Sequence, residues 1–143
     1  MPHIRPLAIC LFHHNGRILV SEEYDPTEKE TFYRPLGGGI EFGEHSEDTV
    51  HRELMEEIGA EVKDLVYLGT LENIFTFDGE PGHEIVQVYD GALTESGLYE
   101  QAMISGHEAD VNLTLKVMWK HIDDFGPGKS ILYPDGLLEM LRG

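Results

Sequence analysis

The stretch Gly38-Gly39-Ile40-Glu41-Phe42-Gly43-Glu44-His45-Ser46-Glu47-Asp48-Thr49-Val50-His51-Arg52-Glu53-Leu54-Met55-Glu56-Glu57-Ile58-Gly59-Ala60 decides how this chain is read. Its second half has helical spacing. Ser46 suits an N-cap, Glu47 and Asp48 suit the positive first turn, Gly59 suits a left-handed stop, and Val50, Leu54 and Ile58 recur as an apolar stripe. At about 100° per residue, Glu53, Glu56 and Glu57 fall in one arc beside that stripe. Exposed, such like-charge pairs cost a few tenths of a kcal/mol. At about 6 Å in a partly desolvated cleft with effective dielectric near 20, the repulsion is about 3 kcal/mol per pair. The helix dipole also disfavours negative charge in this C-terminal half. A divalent cation removes the conflict, because magnesium and manganese take carboxylate oxygens and complete their shells with water and phosphate. Taken alone, the three glutamates are equally well explained as the acidic face of an acidic protein.

The first half supplies more. Gly37, Gly38, Gly39 and Gly43 predict a loop that carries Glu41 and Glu44 and lets backbone approach a ligand closely. It is not a P-loop, since Glu44 stands where the phosphate-binding lysine belongs, and Phe42 breaks the GxGxxG pattern. Arg52 is the only arginine or lysine of the helix, and a loop carboxylate is its expected partner.

From Gly38 to Ala60 the sequence resembles the box of the Nudix (MutT-like) hydrolases: Gly, five residues, Glu, seven residues, Arg-Glu, an aliphatic residue, any residue, Glu-Glu, any residue, Gly, and a small aliphatic residue. Gly38, Glu44, Arg52, Glu53, Leu54, Glu56, Glu57, Gly59 and Ala60 hold those places without exception. The Phe32-Tyr33-Arg34 lead-in and the closing Leu132-Tyr133-Pro134-Asp135-Gly136-Leu137 are also similar to Nudix proteins. The resemblance implies an α/β fold, an α/β/α sandwich around a mixed β-sheet. It implies Mg2+ or Mn2+ held by Glu53, Glu56 and Glu57, with the Gly38 carbonyl as a further ligand, and a structural salt bridge between Arg52 and Glu44. The implied reaction is water attack on phosphorus, splitting the diphosphate bond of a nucleoside di- or triphosphate or a nucleoside diphosphate linked to another moiety. Glu53 leads as the carboxylate that orients or deprotonates the water. Among distal loop residues Glu108 is the first candidate for that role, ahead of Glu100 and Glu95.

The rest of the chain fits one domain over residues 1–143. Strands are expected from Pro6 to His13 and Arg17 to Glu23 around the Asn15-Gly16 turn, then at Thr31–Arg34, Val62–Leu71, Glu84–Leu93 and Leu113–Ile122. A short helix closes the chain after Tyr133-Pro134-Asp135, and Thr94 to Asn112 reads as a mobile loop. No apolar run approaches the roughly 20 residues of a membrane span, and no signal peptide is evident, so a cytoplasmic protein is expected. The lone Cys10 sits in an apolar run and reads as a buried hydrophobe. A net charge of −17 argues against a nucleic-acid polymer as partner and favours a small phosphorylated substrate only where cations reverse the local field.

Substrate choice lies outside the box. Phe32, Tyr33, Phe75, Phe77 and Tyr89 are candidates to stack a ring, Arg34 to hold substrate phosphate, and His83 and Glu84 to open a strand facing the cleft. The ADP-ribose subgroup usually carries a proline about fifteen residues past the box, and Ile74 to Asp78 has none. Two rivals are a Nudix-fold nucleotide sensor that binds without cleaving, and an isoprenoid-type isomerase. All box glutamates are present, against the first, and Cys10 lies outside any catalytic cysteine motif, against the second. Monomer and homodimer both remain open.

Overall fold

The computed structural model describes residues 2–108 and 113–143. Among them are nine strands, β1 (Arg5–Leu11), β2 (His13–His14), β3 (Arg17–Asp25), β4 (Glu30–Gly39), β5 (Val62–Phe77), β6 (Glu80–Leu93), β7 (Met103–Glu108), β8 (Leu113–His121) and β9 (Ile131–Leu132), with helices α1 (Ser46–Ile58) and α2 (Leu137–Arg142). The sheet is mixed, in the order β5-β6-β1-β4-β3-β8-β7, with β2 on β3 and β9 on β4. β1 pairs parallel with β6 and antiparallel with β4, which makes it a central strand, paired on both edges. That position explains its unbroken apolar run, since Leu7 to Phe12 are all buried.

The two faces are covered as an α/β/α sandwich requires. On one, Val50 and Leu54 of α1 pack with Ala8, Cys10, Phe12, Leu36 and Val117. On the other, Leu137 of α2 packs with Leu7, Ile9, Leu11, Val86 and Val88. Alternate residues of β1 thus serve opposite layers. No helix among the described residues is long and apolar enough to cross a membrane.

Three expectations are corrected. Gly37 to Gly39 are strand, and the loop that carries Glu41, Gly43 and Glu44 begins only after them: β4 runs on through Pro35 to Gly39, pairing Val20 with Pro35 on one side and Cys10 with Leu36, Ile9 with Gly37 and Ala8 with Gly38 on the other. The reason is steric, because a Cβ at Gly37 would lie 2.1 Å from the Ala8 carbonyl oxygen. The N-cap of α1 is His45, which makes no side-chain cap, while the Ser46 hydroxyl is hydrogen-bonded to the Tyr89 hydroxyl. The stretch from Thr94 is ordered by a 3-10 turn at Ser96–Glu100 and by β7. Leu98 enters the core there, its carbonyl accepts a hydrogen bond from Trp119 Nε1, and Tyr99 stacks on the Trp119 ring. The rest of that stretch, Ala109 to Asn112, lies outside the described residues.

Because β4 changes partner midway, from β3 to β1, a cleft opens between the two halves of the sheet beside α1.

Candidate active site

Arg52 organises the loop between β4 and α1. Its Nε and Nη2 donate to the two oxygens of Glu44, each at 2.9 Å, its Nη2 also donates to the Gly39 carbonyl at 2.9 Å, and its Nη1 reaches Glu53 Oε1 at 2.9 Å. These are charge-assisted, and the fork on Glu44 is bidentate. Thr49 Oγ1 and the Glu41 backbone N–H donate to Glu44 as well. The Glu44 carboxyl is accordingly held down at about 2 by the Arg52 hydrogen bonds first, then by Thr49, while Arg52 is pushed further into its charged range by Glu44.

Glu53 and Glu57 are buried, 6% and 5% exposed, where an ionised carboxylate needs charged or hydrogen-bonding company. Arg52 supplies part of it to Glu53, and the Gly37 backbone N–H donates to Glu57 Oε1 at 3.2 Å. Both line the cleft, together with Gly37, Gly38, Ser21, Glu23, Arg34 and Arg5. Glu56 is turned outward, its side chain 40% exposed and 3.5 Å from Arg52. Gly38 is cleared for Glu53: a Cβ there would meet the Glu53 carboxyl carbon at 2.4 Å.

The donor set fits a hard divalent cation of the open kind. Its oxygens, two carboxylates and backbone at a glycine, suit magnesium or manganese, which keep waters and need only one or two protein carboxylates beside substrate phosphate. It is not a closed cage, for among the described residues no three acidic, histidine or cysteine side chains are grouped closely enough to hold an ion by themselves.

A second cleft adjoins the first. Phe32, Phe75, Phe77 and Tyr133 give it aromatic walls, Asp25, Glu30, Asn73 and Glu84 line it as well, and it shares Arg5, Glu23 and Arg34 with the carboxylate cleft. Phe32 is its floor, meeting Phe77 and Tyr133 edge-on at 5.9 and 5.3 Å. The volumes are about 250 and 260 Å³, each below the usual range for a drug-sized ligand. A molecule too large for either can lie across both over the shared rim.

Of the residues singled out in the sequence, Glu44, Arg52, Glu53, Glu57, Gly38 and Arg34 converge here, and Phe32, Phe75, Phe77 and Glu84 line the second cleft. Tyr33 and Tyr89 do not: Tyr33 packs on Phe125 under Lys120, and Tyr89 belongs to the core beneath Ser46. Glu95 precedes the 3-10 turn and Glu100 ends it, neither lining either cleft, and the side chain of Glu108 lies outside the described residues. Arg5, Glu23 and Asn73 were missed. They carry no motif, although Arg5 as the first residue of a central strand in a chain with only 10 lysines and arginines was a usable hint.

The NUDIX domain family model matches residues 1–130, and the chain belongs to that family. Among characterised relatives it is similar to the NAD-capped RNA hydrolase NudC of Pseudomonas syringae pv. tomato, 38% identical over 69 residues, covering 48% of this chain and 24% of that protein. It is also similar to the mitochondrial NAD(P)H pyrophosphatase NUDT13 of Mus musculus, 30% identical over 96 residues, covering 61% and 27%. The chain thus spans about a quarter of the length of these relatives. Among solved structures, the MutT NUDIX hydrolase of Burkholderia pseudomallei superposes with a TM-score of 0.66 at 19% identity over 97% of both chains. A NUDIX hydrolase of Nitrosomonas europaea gives 0.67 at 16% identity, over 98% of this chain and 87% of the other. At these identities the likeness speaks for the fold.

Proposed function

We propose that this chain is a divalent-metal-dependent pyrophosphohydrolase that uses water to split the diphosphate bond of a small nucleoside-diphosphate-type compound. The observation that carries the reading is the pair of buried carboxylates, Glu53 and Glu57, opening on a cleft beside a glycine whose missing side chain makes room for one of them. Nudix hydrolases generally use divalent metal ions. Here Glu53, Glu56, Glu57 and the Gly38 carbonyl would hold Mg2+ or Mn2+, with Glu56 rotating inward from its exposed position. When bound, the ion supplies charge neutralisation for the phosphates and acidifies water at neutral pH. Glu53 orients or deprotonates the attacking water; Arg52 keeps its carboxylate in place through the 2.9 Å bond, and Glu44 keeps Arg52 from swinging away. Arg34, on the rim, binds substrate phosphate.

The names of the relatives nominate NADH as the first substrate to try. The net charge of −17 favours a free dinucleotide over a capped RNA strand, whose phosphates would be repelled. The test is a panel of NADH, NAD-capped RNA, ADP-ribose, nucleoside triphosphates and dinucleoside polyphosphates with Mg2+ or Mn2+, run on the parent protein and on Glu57→Gln. Gln keeps the acceptor for the Gly37 N–H and loses the charge, so turnover should fall by at least about 100-fold with the fold intact. Uniform inactivity across the panel with nucleotide binding retained would replace this reading with a sensor.

A further inference from the structure

The rim between the two clefts holds a charge arrangement unlike that of Arg52. Glu84, on β6, is 5% exposed at its side chain and lies between two guanidiniums, 3.5 Å from Arg34 Nη2 and 3.9 Å from Arg5 Nη1. Its place is set by register: Arg5 of β1 and Asn73 of β5 both pair directly with Glu84, forming a polar row across three neighbouring strands. Asn73 is itself fixed, for its Oδ1 accepts the Asp135 backbone N–H at 3.2 Å and its Nδ2 faces Glu84 at 3.5 Å. The Arg5 guanidinium passes over Gly39, where an added Cβ would lie 3.2 Å from Nη2. Arg34 has Glu23 on its other side, at 4.0 Å.

These separations decide what the arginines are for. A charge-assisted N–H to carboxylate bond measures about 2.7–2.9 Å, and Arg52 makes four contacts at 2.9 Å that occupy its fork. The ion pairs of Arg5 and Arg34 run from 3.5 to 4.0 Å. The carboxylate is close enough to hold the two cations side by side, and too far to occupy their donors. Without it, two like charges at the rim would separate toward solvent.

We propose that Glu84 is a positioning residue that presents Arg5 and Arg34 as a pair to the ring-side phosphate of a diphosphate, whose aromatic ring occupies the Phe32–Phe77–Tyr133 cleft while the other phosphate lies toward Glu53 and Glu57. This rests on the pyrophosphohydrolase reading and adds the anchor to it. Phosphate recognition is thereby placed at a site formed by Glu84 on β6, Arg5 on β1 and Arg34 on β4, outside the 38–60 stretch.

The test is calorimetric, with α,β-methylene-ADP as an uncleavable diphosphate and adenosine as the same ring without phosphates, both with Mg2+. Glu84→Gln should weaken methylene-ADP binding by about tenfold, the size of one charge-assisted hydrogen bond, and leave adenosine binding unchanged. In an Arg5→Ala/Arg34→Ala background the further change Glu84→Gln should have no effect on methylene-ADP, because its role passes through the arginines. Equal loss of both ligands, no loss of either, or a full further loss in the double background would overturn the proposal. So would a parent protein that binds methylene-ADP no better than adenosine. Cleavage of NADH or another panel compound by the parent protein is a separate readout: its presence alongside an additive cycle removes only the anchor, and its absence removes the hydrolase reading itself.

Discussion

Gly38→Ala separates the chemistry of this site from its stability. The added methyl would sit 2.4 Å from the Glu53 carboxyl carbon and Oε1, where ordinary contact begins at 3.4 Å, so the carboxylate must retreat by about 1 Å. What gives way is the far end of a flexible side chain and not backbone, so folding should barely register the change. Tm should stay within about 2 °C of the parent. Catalysis should register it strongly, because a displacement of about 1 Å at a reacting group costs on the order of 100-fold in rate. Manganese affinity, followed by electron paramagnetic resonance, should fall alongside. Gly37→Ala, one residue earlier, is the control: its Cβ would meet the Ala8 carbonyl oxygen at 2.1 Å and the Ile9 Cα at 2.7 Å, both backbone of β1. That substitution should lower Tm by roughly 5–10 °C, from a strain of about 2–3 kcal/mol or more. Activity within threefold of the parent in Gly38→Ala would refute the placement of Glu53 at the reacting centre. A Tm loss as large as that of Gly37→Ala would show that the glycine serves packing alone.

Arg52→Lys removes the fork and leaves a point charge, which cannot serve Glu44, Glu53 and the Gly39 carbonyl together. A fall in Tm of about 5 °C and a loss of about 100-fold in turnover are expected, the first by calorimetry and the second with the best substrate of the panel. Glu44→Gln tests the pH dependence. The Glu44 carboxyl is depressed in the folded protein from an ordinary value of 4.5 to about 2, so the unfolded chain takes up the proton first as pH falls. The stability this contributes is complete above pH 4.5 and is lost between 4.5 and 2. The variant should therefore show a flatter Tm profile across that window, and a parallel profile would contradict the role given to Arg52. Cys10 is fully buried and its thiol is pushed up, by burial first and by Asp90 second. It should resist a thiol-reactive disulfide reagent at pH 8 in native protein and react within minutes in denaturant.

The helix was legible to its last residue because three independent features agree on it: the four-residue spacing of Val50 and Leu54, the acidic first turn, and Gly59, which takes the left-handed conformation and closes onto the Leu54 and Met55 carbonyls. That Arg52 would pair with a loop carboxylate was legible because it is the one arginine or lysine of the helix, while the choice of Glu44 over Glu41 was legible only through the resemblance to the Nudix box. What the chain did not announce is long-range. The continuation of β4 through three glycines depends on how closely β1 approaches, a property of the pair and not of either strand. Glu84 and Arg5 are 79 residues apart and meet only through a parallel register, which has no local pattern to mark it. Aromatic periodicity likewise fails to separate Phe77, exposed at a cleft wall, from Tyr89 in the core, since strand spacing reveals alternation without saying which side is covered.

On the proposed function, the contrast between arginines would let a chain carrying −17 accept a diphosphate. A uniform acidic field would repel the substrate, and scattering more lysines would lower that field everywhere while fixing nothing in place. Three arginines are instead fixed at two points beside the carboxylate cleft. Arg52 is committed inward, where it holds carboxylates that would otherwise repel one another. Arg5 and Arg34 are held by a buried counter-ion at distances that leave their donors available. Between these points lies the cleft of Glu53 and Glu57, where, on the proposed function, a divalent cation would add charge of higher density than any side chain supplies. On the proposed function, binding would be conditional on the ion, and a diphosphate lying along the line joining the carboxylates to the rim would be oriented by electrostatics before any base or ribose is recognised.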